Sequence, residues 1–135
     1  MTPYDLKQFS RAHLDGALAL MAAEGWDTYT ADPERTHRAL MAPGSTTLVA
    51  VDSDAVAGLV QMQSDGEIQA HLSALLVGAR WRGRGLGRLL LRDALRHAGG
   101  LRIDVLTRAG DYYRGLGAQP VPGFRLTREE IECAS

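Results

Sequence analysis

The segment Arg80–Leu90, with the sequence RWRGRGLGRLL, limits the possible folds of this chain more than any other segment does. It follows the apolar run Leu72–Val77 and leads into a stretch with helical periodicity, so a strand ends where it begins and a helix starts within it. Its three glycines uncover the backbone N–H groups at the start of that helix, and its four arginines add positive charge there. A tight turn requires neither feature in this amount. The segment therefore predicts an anion site, of the kind that binds phosphate, at a strand-to-helix junction.

Composition favours a cytoplasmic globular protein. The 135 residues, 45% of them hydrophobic and 23% charged, are enough for one domain over 1–135 with its own core. A formal net charge of −1 argues against a surface built to bind nucleic acid, and no apolar run reaches membrane-spanning length. The N-terminal segment has no signal-peptide pattern, and the single cysteine, Cys133, cannot form an internal disulfide. We therefore expect a cytoplasmic protein without a membrane or nucleic-acid partner.

Hydrophobic periodicity and turn residues predict a mixed α/β chain. Asp65-Gly66 favours a two-residue type I′ hairpin turn, because both residue types tolerate a positive φ. A three-strand antiparallel meander followed by a strand–helix crossover predicts an α/β fold of the α+β type with a mixed sheet, and it excludes a doubly wound sheet or a barrel. The predicted strands are 2–9, 46–52, 55–63, 67–77, 101–106 and 121–127, the predicted helices are 11–24, 33–42, 85–98 and 109–116, and 26–30 is predicted to be a loop.

Two common phosphate-loop patterns do not fit the glycine–arginine segment. A dinucleotide pattern G-x-G-x-x-G that starts at Gly83 would need a glycine where Arg88 stands. A nucleotide-triphosphate loop from Gly78 to Gly83 would need Lys and then Ser or Thr, where Arg84 and Gly85 follow. The remaining alternative is that the segment is a glycine-rich turn whose arginine side chains only face solvent. We prefer this interpretation only for the arginines that lie further along the helix.

The residues Arg82–Gly87, RGRGLG, fit the pattern R-x-x-G-x-G. This pattern resembles the coenzyme A pyrophosphate motif of the GNAT N-acetyltransferase superfamily. The predicted order of elements is similar to that family along nearly the whole chain. A second stretch, Ala109–Ala118 with the sequence AGDYYRGLGA, resembles the family's tyrosine-bearing helix. The resemblance implies a GNAT-like acyl-CoA N-acyltransferase fold that uses acetyl-CoA as cosubstrate and no metal.

The resemblance also implies roles for individual residues. Backbone groups of Leu75, Leu76 and Val77 would hydrogen-bond the acetyl carbonyl and the pantetheine arm. Tyr113 matches the tyrosine that protonates or hydrogen-bonds the departing thiolate, and the alternative for Tyr113 is a half-buried packing residue beside Tyr112. The pyrophosphate would be bound by the loop residues Arg82, Gly83, Arg84, Gly85, Leu86, Gly87 and Arg88.

The acceptor amine must be neutral to attack a thioester, so a base or a water relay has to remove a proton. His71 lies eleven residues before Arg82, at the spacing where some members of the family that this chain resembles carry a glutamate base. An unperturbed imidazole titrates near pH ~6.5 and can accept a proton around neutrality. Glu67, on the same predicted strand face, would orient the water. The alternative is that both residues belong to a solvated polar face of the sheet.

The segment around Trp26 lies where the family that this chain resembles walls its acceptor pocket. Trp26, Asp27 and Tyr29 would hold a cationic amine through ring faces and a carboxylate. Alternatively, Trp26 packs the first helix onto the core. The acceptor is expected to be a small-molecule or peptide amine. Because the chain is short for the family, its last strand is expected to be truncated or completed by a partner chain in a homodimer.

These features predict an N-acetyltransferase that transfers the acetyl group of acetyl-CoA to a primary amine by direct attack in a ternary complex. No covalent intermediate is expected, because the single cysteine lies two residues from the C-terminus. One alternative is a non-catalytic acyl-CoA-binding or sensing protein of the same fold. Another is a nucleic-acid binder built on the arginine-bearing helix, which would show a steep salt dependence of binding.

Overall fold

A computed structural model describes residues 4–133, and the chain divides after Val105 into an N-terminal unit and a C-terminal unit that begins at Leu106. The mixed α/β architecture predicted from the sequence is confirmed. The strands are β1 Asp5–Gln8, β2 Ser45–Asp52, β3 Ala55–Ser64, β4 Gln69–Val77 and β5 Arg102–Asp104; the helices are α1 Leu14–Ala23, α2 Asp27–Thr30, α3 Pro33–Leu40, α4 Leu86–Ala98, α5 Gly110–Gly115 and α6 Arg128–Glu132; and 3₁₀ turns span Arg11–His13 and Ala79–Trp81.

The five strands form one mixed sheet in the order β1-β2-β3-β4-β5. The first three pairings are antiparallel, as expected for a meander, and β5 pairs parallel to β4 after the crossover through α4. Residues 2 and 3 of the first predicted strand lie outside the described residues. The connection from β4 to its parallel partner β5 runs through α4. The end of β4 and the start of α4 therefore lie close together along the chain, at the predicted anion site.

Helix α1 covers part of the sheet through the periodic apolar residues that predict it. Leu14, Ala17 and Met21 are buried and pack in one cluster with Val49 of β2 and Leu59 of β3. Spacings of three and four residues put these side chains on one face of the helix. The core cluster therefore fixes α1, and with it the segment that follows, against the sheet.

Helix α4 packs against β3 at a glycine. Its residues Leu86, Leu90 and Ala94 are buried. A Cβ atom at Gly58 of β3 would lie 3.0 Å from Leu90 Cδ1, so the absence of a side chain there lets the helix approach the strand closely. This close packing fixes the start of α4 relative to the end of β4.

The prediction that 26–30 is a loop is wrong, because one helical turn, α2, forms there. The Trp26 carbonyl accepts the backbone N–H groups of Tyr29 at 3.2 Å and Thr30 at 3.3 Å. Asp27 stands in the first turn, where a negative charge is favourable. A single turn is too short to leave a periodic signal in the sequence. The next helix, α3, begins as predicted, with Asp32 as its N-cap and proline at its first position.

The type I′ turn predicted at Asp65-Gly66 is also wrong. Among the described residues, Ser53 is the only residue other than glycine with a positive φ, so Asp65 does not have the required conformation. Instead its carboxylate accepts the backbone N–H groups of Glu67 and Ile68, both at 2.8 Å. These bonds, with that of Ile68 the strongest cause, hold the pKa of Asp65 below its usual value. The turn is therefore longer than predicted, and β4 begins at Gln69.

The C-terminal unit lacks the predicted strand 121–127, since no strand is described after β5. Pro120 and Pro122 have no N–H groups to donate to a ladder. Thr127 and Glu130 instead form a capping box that starts α6, with Glu130 N–H donating to Thr127 Oγ1 at 3.2 Å. The strand predicted over 101–106 is likewise reduced to the three residues of β5.

Candidate active site

The glycine–arginine loop lies between β4 and α4, as predicted. After β4 the chain passes through the 3₁₀ turn Ala79–Trp81 and enters α4 at Leu86. Gly83 has a φ of 76° and Gly85 a φ of 80°, values that favour glycine. Apart from the glycine itself and its two chain neighbours, no heavy atom of the described chain lies within 4 Å of a Cβ built at either position. The backbone conformation therefore explains both glycines, and open space lies beside each of them.

The open space adjoins the N-terminus of α4, which has 13 residues. The first N–H groups of a helix have no acceptor within the helix and carry about half a positive charge in sum. The loop adds the exposed side chains of Arg82, Arg84 and Arg88. Arginine can hold phosphate oxygens through two parallel hydrogen bonds. The arrangement can bind a ligand with two adjacent phosphate groups.

Arg82 makes two contacts that the sequence does not predict. Its Nε donates to the Val77 carbonyl oxygen at 3.0 Å, and its Nη2 forms an ion pair with the Glu24 carboxylate just after α1. Glu24 lies 58 residues earlier in the chain, so no local pattern could have revealed this partner. The ion pair links the end of α1 to the loop and occupies one donor of the arginine that the loop would present to phosphate.

Strands β4 and β5 pair over only three residues. The last pair is His71 with Asp104, whereas β4 continues to Val77. The edge of β4 beyond His71 therefore has no strand partner on the β5 side among the described residues. Free N–H and C=O groups on such an edge are suited to binding an extended ligand.

The three residues predicted to bind the ligand through their backbone do not all face this open edge. Gly78 N–H donates to the Ala57 carbonyl oxygen of β3 at 2.8 Å. Because backbone groups alternate between the two edges of a strand, those of Leu76 also face β3, while those of Leu75 and Val77 face away from β3. Leu75 and Val77 are thus placed for the predicted role, and the Val77 carbonyl already accepts from Arg82.

His71 is exposed on β4, opposite Gln63 of β3 and beside Asp104 of β5. The polar strand face predicted to include Glu67 is not continuous. Glu67 lies in the turn before β4, because Asp65 binds its N–H group. Further along, the register between β3 and β4 shifts and passes over Ser73, a bulge that simple alternation could not predict.

The predicted acceptor residues divide into two kinds. The rings of Trp26 and Tyr29 lie with centroids 5.6 Å apart, and both side chains pack, partly buried, against the core cluster that contains Met21. This packing supports the alternative role given to Trp26 in the sequence analysis. Asp27 is exposed and remains available to a ligand.

Tyr113 lies on α5 in the C-terminal unit and is half-buried. Its ring meets that of Tyr112 edge to face, with centroids 5.1 Å apart and planes at 88°. Burial, and secondarily the neighbouring Tyr112, raise the pKa of Tyr113 above its ordinary value. The hydroxyl is protonated at neutral pH, as in an unperturbed tyrosine, and can donate a hydrogen bond. Gly117 closes the helix as predicted, with a φ of 90°.

Two other kinds of functional feature are missing from residues 4–133. No group of three or more His, Cys, Asp or Glu side chains there could hold a metal ion. Over the same residues no helix is both long enough and apolar enough to cross a bilayer.

A family model described as an acetyltransferase (GNAT) domain matches residues 7–130. This match covers both the loop between β4 and α4 and the helix that carries Tyr113. Among curated proteins, no sequence matches the chain.

Solved structures give the same result for the fold. A GNAT family acetyltransferase from Streptococcus pneumoniae TIGR4 is 23% identical, with a TM-score of 0.71 over 93% of this chain and 97% of the other. A candidate acetyltransferase from Deinococcus radiodurans R1 is 27% identical, with a TM-score of 0.70 over 94% and 90%. The aminoglycoside N-acetyltransferase AAC(6′)-Iy, in complex with the bisubstrate analogue CoA-S-monomethyl-acetylneamine, is 18% identical, with a TM-score of 0.69 over 93% and 97%.

Proposed function

Because this chain belongs to the GNAT acetyltransferase family, we propose that it transfers the acetyl group of acetyl-CoA to a primary amine by direct attack in a ternary complex. The acetyltransferase class follows from the family. The coenzyme, the amine and the roles of single residues are those that the resemblance to the family implies, and the geometry of the site is used here to support them.

The observation that carries the proposal is the loop between β4 and α4. It combines two glycines at positive φ, open space beside both, and a helix N-terminus with exposed arginines. Backbone N–H groups and guanidinium groups together suit the pyrophosphate of coenzyme A. Leu86 is buried, so only its backbone would contact the pyrophosphate. Gly87 lies in the first turn of α4 and has no side chain that would hinder a ligand from reaching the N–H groups.

The unpaired edge of β4 supports a place for the rest of the coenzyme. Leu75 and Val77 direct backbone groups to that edge, and amide groups of a pantetheine arm can pair with them as an added strand would. Acetyl-CoA supplies the thioester that the amine attacks. The chain's task there is to orient the carbonyl by hydrogen bonds from backbone N–H groups.

Proton transfer is assigned to two side chains. Tyr113 donates a proton or a hydrogen bond to the leaving sulfur, since a tyrosine hydroxyl is protonated at neutral pH. His71, exposed on β4, removes a proton from the amine directly or through a water molecule. Glu67 is not assigned to this relay, because it lies in the turn before β4.

The acceptor is a small-molecule or peptide amine. Asp27 is exposed at the start of α2 and would pair with a cationic group of the acceptor. Trp26 and Tyr29 would form the apolar wall behind it while they pack against the core. An aminoglycoside acetyltransferase complex among the similar folds carries an analogue in which CoA is joined to an acetylated amine, which is consistent with this class of acceptor.

A panel of amines, small molecules and short peptides, assayed for thiol release from acetyl-CoA, tests the proposal. Turnover that depends on one class of amine is the expected result. His71→Ala should lower that turnover at neutral pH and recover part of it at alkaline pH, where more of the amine is already neutral. Acetyl-CoA binding without turnover on any amine would instead support a non-catalytic coenzyme-binding protein.

A further inference from the structure

Trp81, the residue before Arg82, is held by the N-terminal unit on several sides. Its side chain is buried, with 8% exposure. A Cβ at Gly78 would lie 2.7 Å from Trp81 Cε3, so the indole occupies space that only a glycine leaves open. The Arg80 guanidinium lies 4.8 Å from the ring centroid, a distance typical of a cation–π contact. The ring therefore has one tightly defined position.

The polar end of the indole is fixed by the last residue of β2. Trp81 Nε1 donates to Asp52 Oδ2 at 2.7 Å, and the two residues are 29 positions apart in the chain. A buried indole N–H without an acceptor costs free energy, so this bond is strongly favoured. The bond ties the β2–β3 hairpin to the 3₁₀ turn that leads into the loop.

The composition of the loop makes fixed ends important for ligand binding. Between Trp81 and Leu86, both of which are buried, four residues span Arg82–Gly85, and two of them are glycines at positive φ. Glycine is the residue that loses most conformational freedom on ordering. A loop of this kind binds a ligand more tightly when its ends are already fixed.

The charge of Asp52 has the wrong sign for a binding residue. The Asp52 carboxylate accepts a hydrogen bond from Trp81, the residue before Arg82. Its negative charge weakens the electrostatic attraction of the loop for anions. Asp52 therefore makes sense as an acceptor for Trp81 and not as part of the electrostatic site.

We propose that Asp52 and Trp81 are positioning residues, whose hydrogen bond orders the glycine–arginine loop for the coenzyme pyrophosphate without touching it. The coenzyme part of this inference rests on the proposed function. The ordering of the loop does not rest on the proposed function, because this ordering is a property of the protein without bound coenzyme.

The test compares five variants, one of which combines Asp52→Ala with Trp81→Phe, with the wild-type protein by calorimetric titration of acetyl-CoA. Asp52→Ala removes the acceptor, Asp52→Asn keeps an oxygen acceptor without the charge, and Trp81→Phe removes the donor but keeps a ring. Asp54→Ala is the matched control, since Asp54 is an exposed acidic residue in the adjoining β2–β3 turn. Circular dichroism melting shows which variants stay folded at the titration temperature.

Loss of the bond should weaken acetyl-CoA binding by on the order of fivefold in Asp52→Ala and in Trp81→Phe. Asp52→Asn should bind as tightly as the wild type or slightly more tightly, because it keeps the acceptor and removes a negative charge. In the Trp81→Phe background, Asp52→Ala should have no further effect, because the bond is already lost. An effect of charge alone predicts the opposite sign, since all three Asp variants would bind the anionic coenzyme slightly more tightly. That pattern would overturn the inference.

Amide hydrogen exchange of Gly83–Leu86 without coenzyme separates the two proposals. Faster exchange in Asp52→Ala and Trp81→Phe, but not in Asp52→Asn, is the expected result. If the wild type failed to bind acetyl-CoA while exchange changed in this way, the proposed function would fall and the ordering role would stand. Unchanged exchange in both variants would refute the ordering role.

Discussion

At the scale of single residues, the surroundings of Tyr113 favour the protonated form of its hydroxyl. Its half-buried ring packs edge to face on Tyr112, and the loss of solvent raises the pKa of the hydroxyl. The protonated form therefore extends to higher pH than in a free tyrosine, whose pKa is about 10.

Tyr113→Phe keeps the ring and removes the hydroxyl, so turnover should fall by on the order of 100-fold while acetyl-CoA affinity stays nearly constant. Because the pKa of Tyr113 is raised, the wild-type rate should not decline from loss of this proton until the pH exceeds about 10, and the variant should lack that decline. Steady-state kinetics against pH measure both effects. Tyr112→Phe is the matched control and should be nearly silent; full activity of Tyr113→Phe would make Tyr113 a packing residue.

At the scale of elements, the ion pair between Glu24 and Arg82 couples the end of α1 to the loop before α4. Both side chains are partly exposed, so the pair itself adds little stability. Its effect on the binding of a phosphate ligand is expected to be larger than its effect on stability. Glu24 competes with phosphate for the same guanidinium group and adds a negative charge near it.

Glu24→Gln should therefore tighten acetyl-CoA binding by roughly two- to fivefold at low salt, with less effect at high salt. The matched control is Glu34→Gln, which removes the same charge from an exposed Arg11–Glu34 pair between the 3₁₀ turn Arg11–His13 and α3. Calorimetric titration at two salt concentrations gives the comparison. Weaker binding in Glu24→Gln would mean that Glu24 holds Arg82 in the conformation that binds phosphate.

Elements with a strong local signal could be predicted from the sequence. Periodic apolar residues identified α1 and α4, and the strand-to-helix glycine segment located the loop. Elements whose bounds depend on the hydrogen bonds of a single side chain could not be predicted. Asp65 lengthens the turn before β4 by binding several N–H groups, and the Thr127–Glu130 capping box starts α6 directly after the segment 121–127 that is predicted to be a strand. Such choices depend on local geometry that composition and periodicity do not carry.

At the scale of the whole molecule, the same division applies to the site. The glycine–arginine loop consists of consecutive residues, and the sequence pattern was sufficient to predict its position between β4 and α4. Glu24, Asp52 and the bulge that passes over Ser73 depend on contacts between distant segments, and no spacing in the chain encodes them. The shared fold of an acetyltransferase family defines where a coenzyme binds, whereas the acceptor is set by side chains that vary within that fold.

The central claim is that the loop between β4 and α4 binds the pyrophosphate of acetyl-CoA. Gly85→Glu places a carboxylate at the helix start, where the fold tolerates acids but an anionic ligand would be repelled. Gly44→Glu is the matched control, because it adds the same charge at a glycine that also has a positive φ, of 82°, and whose built Cβ has no heavy atom within 4 Å apart from the glycine itself and its chain neighbours.

Calorimetric titration of acetyl-CoA into the wild type and these two variants, each checked for folding by circular dichroism, tests the claim most directly. We predict saturable binding to the wild type and to Gly44→Glu, and affinity weaker by more than about tenfold in folded Gly85→Glu. Equal affinity in all three folded proteins would contradict the claim.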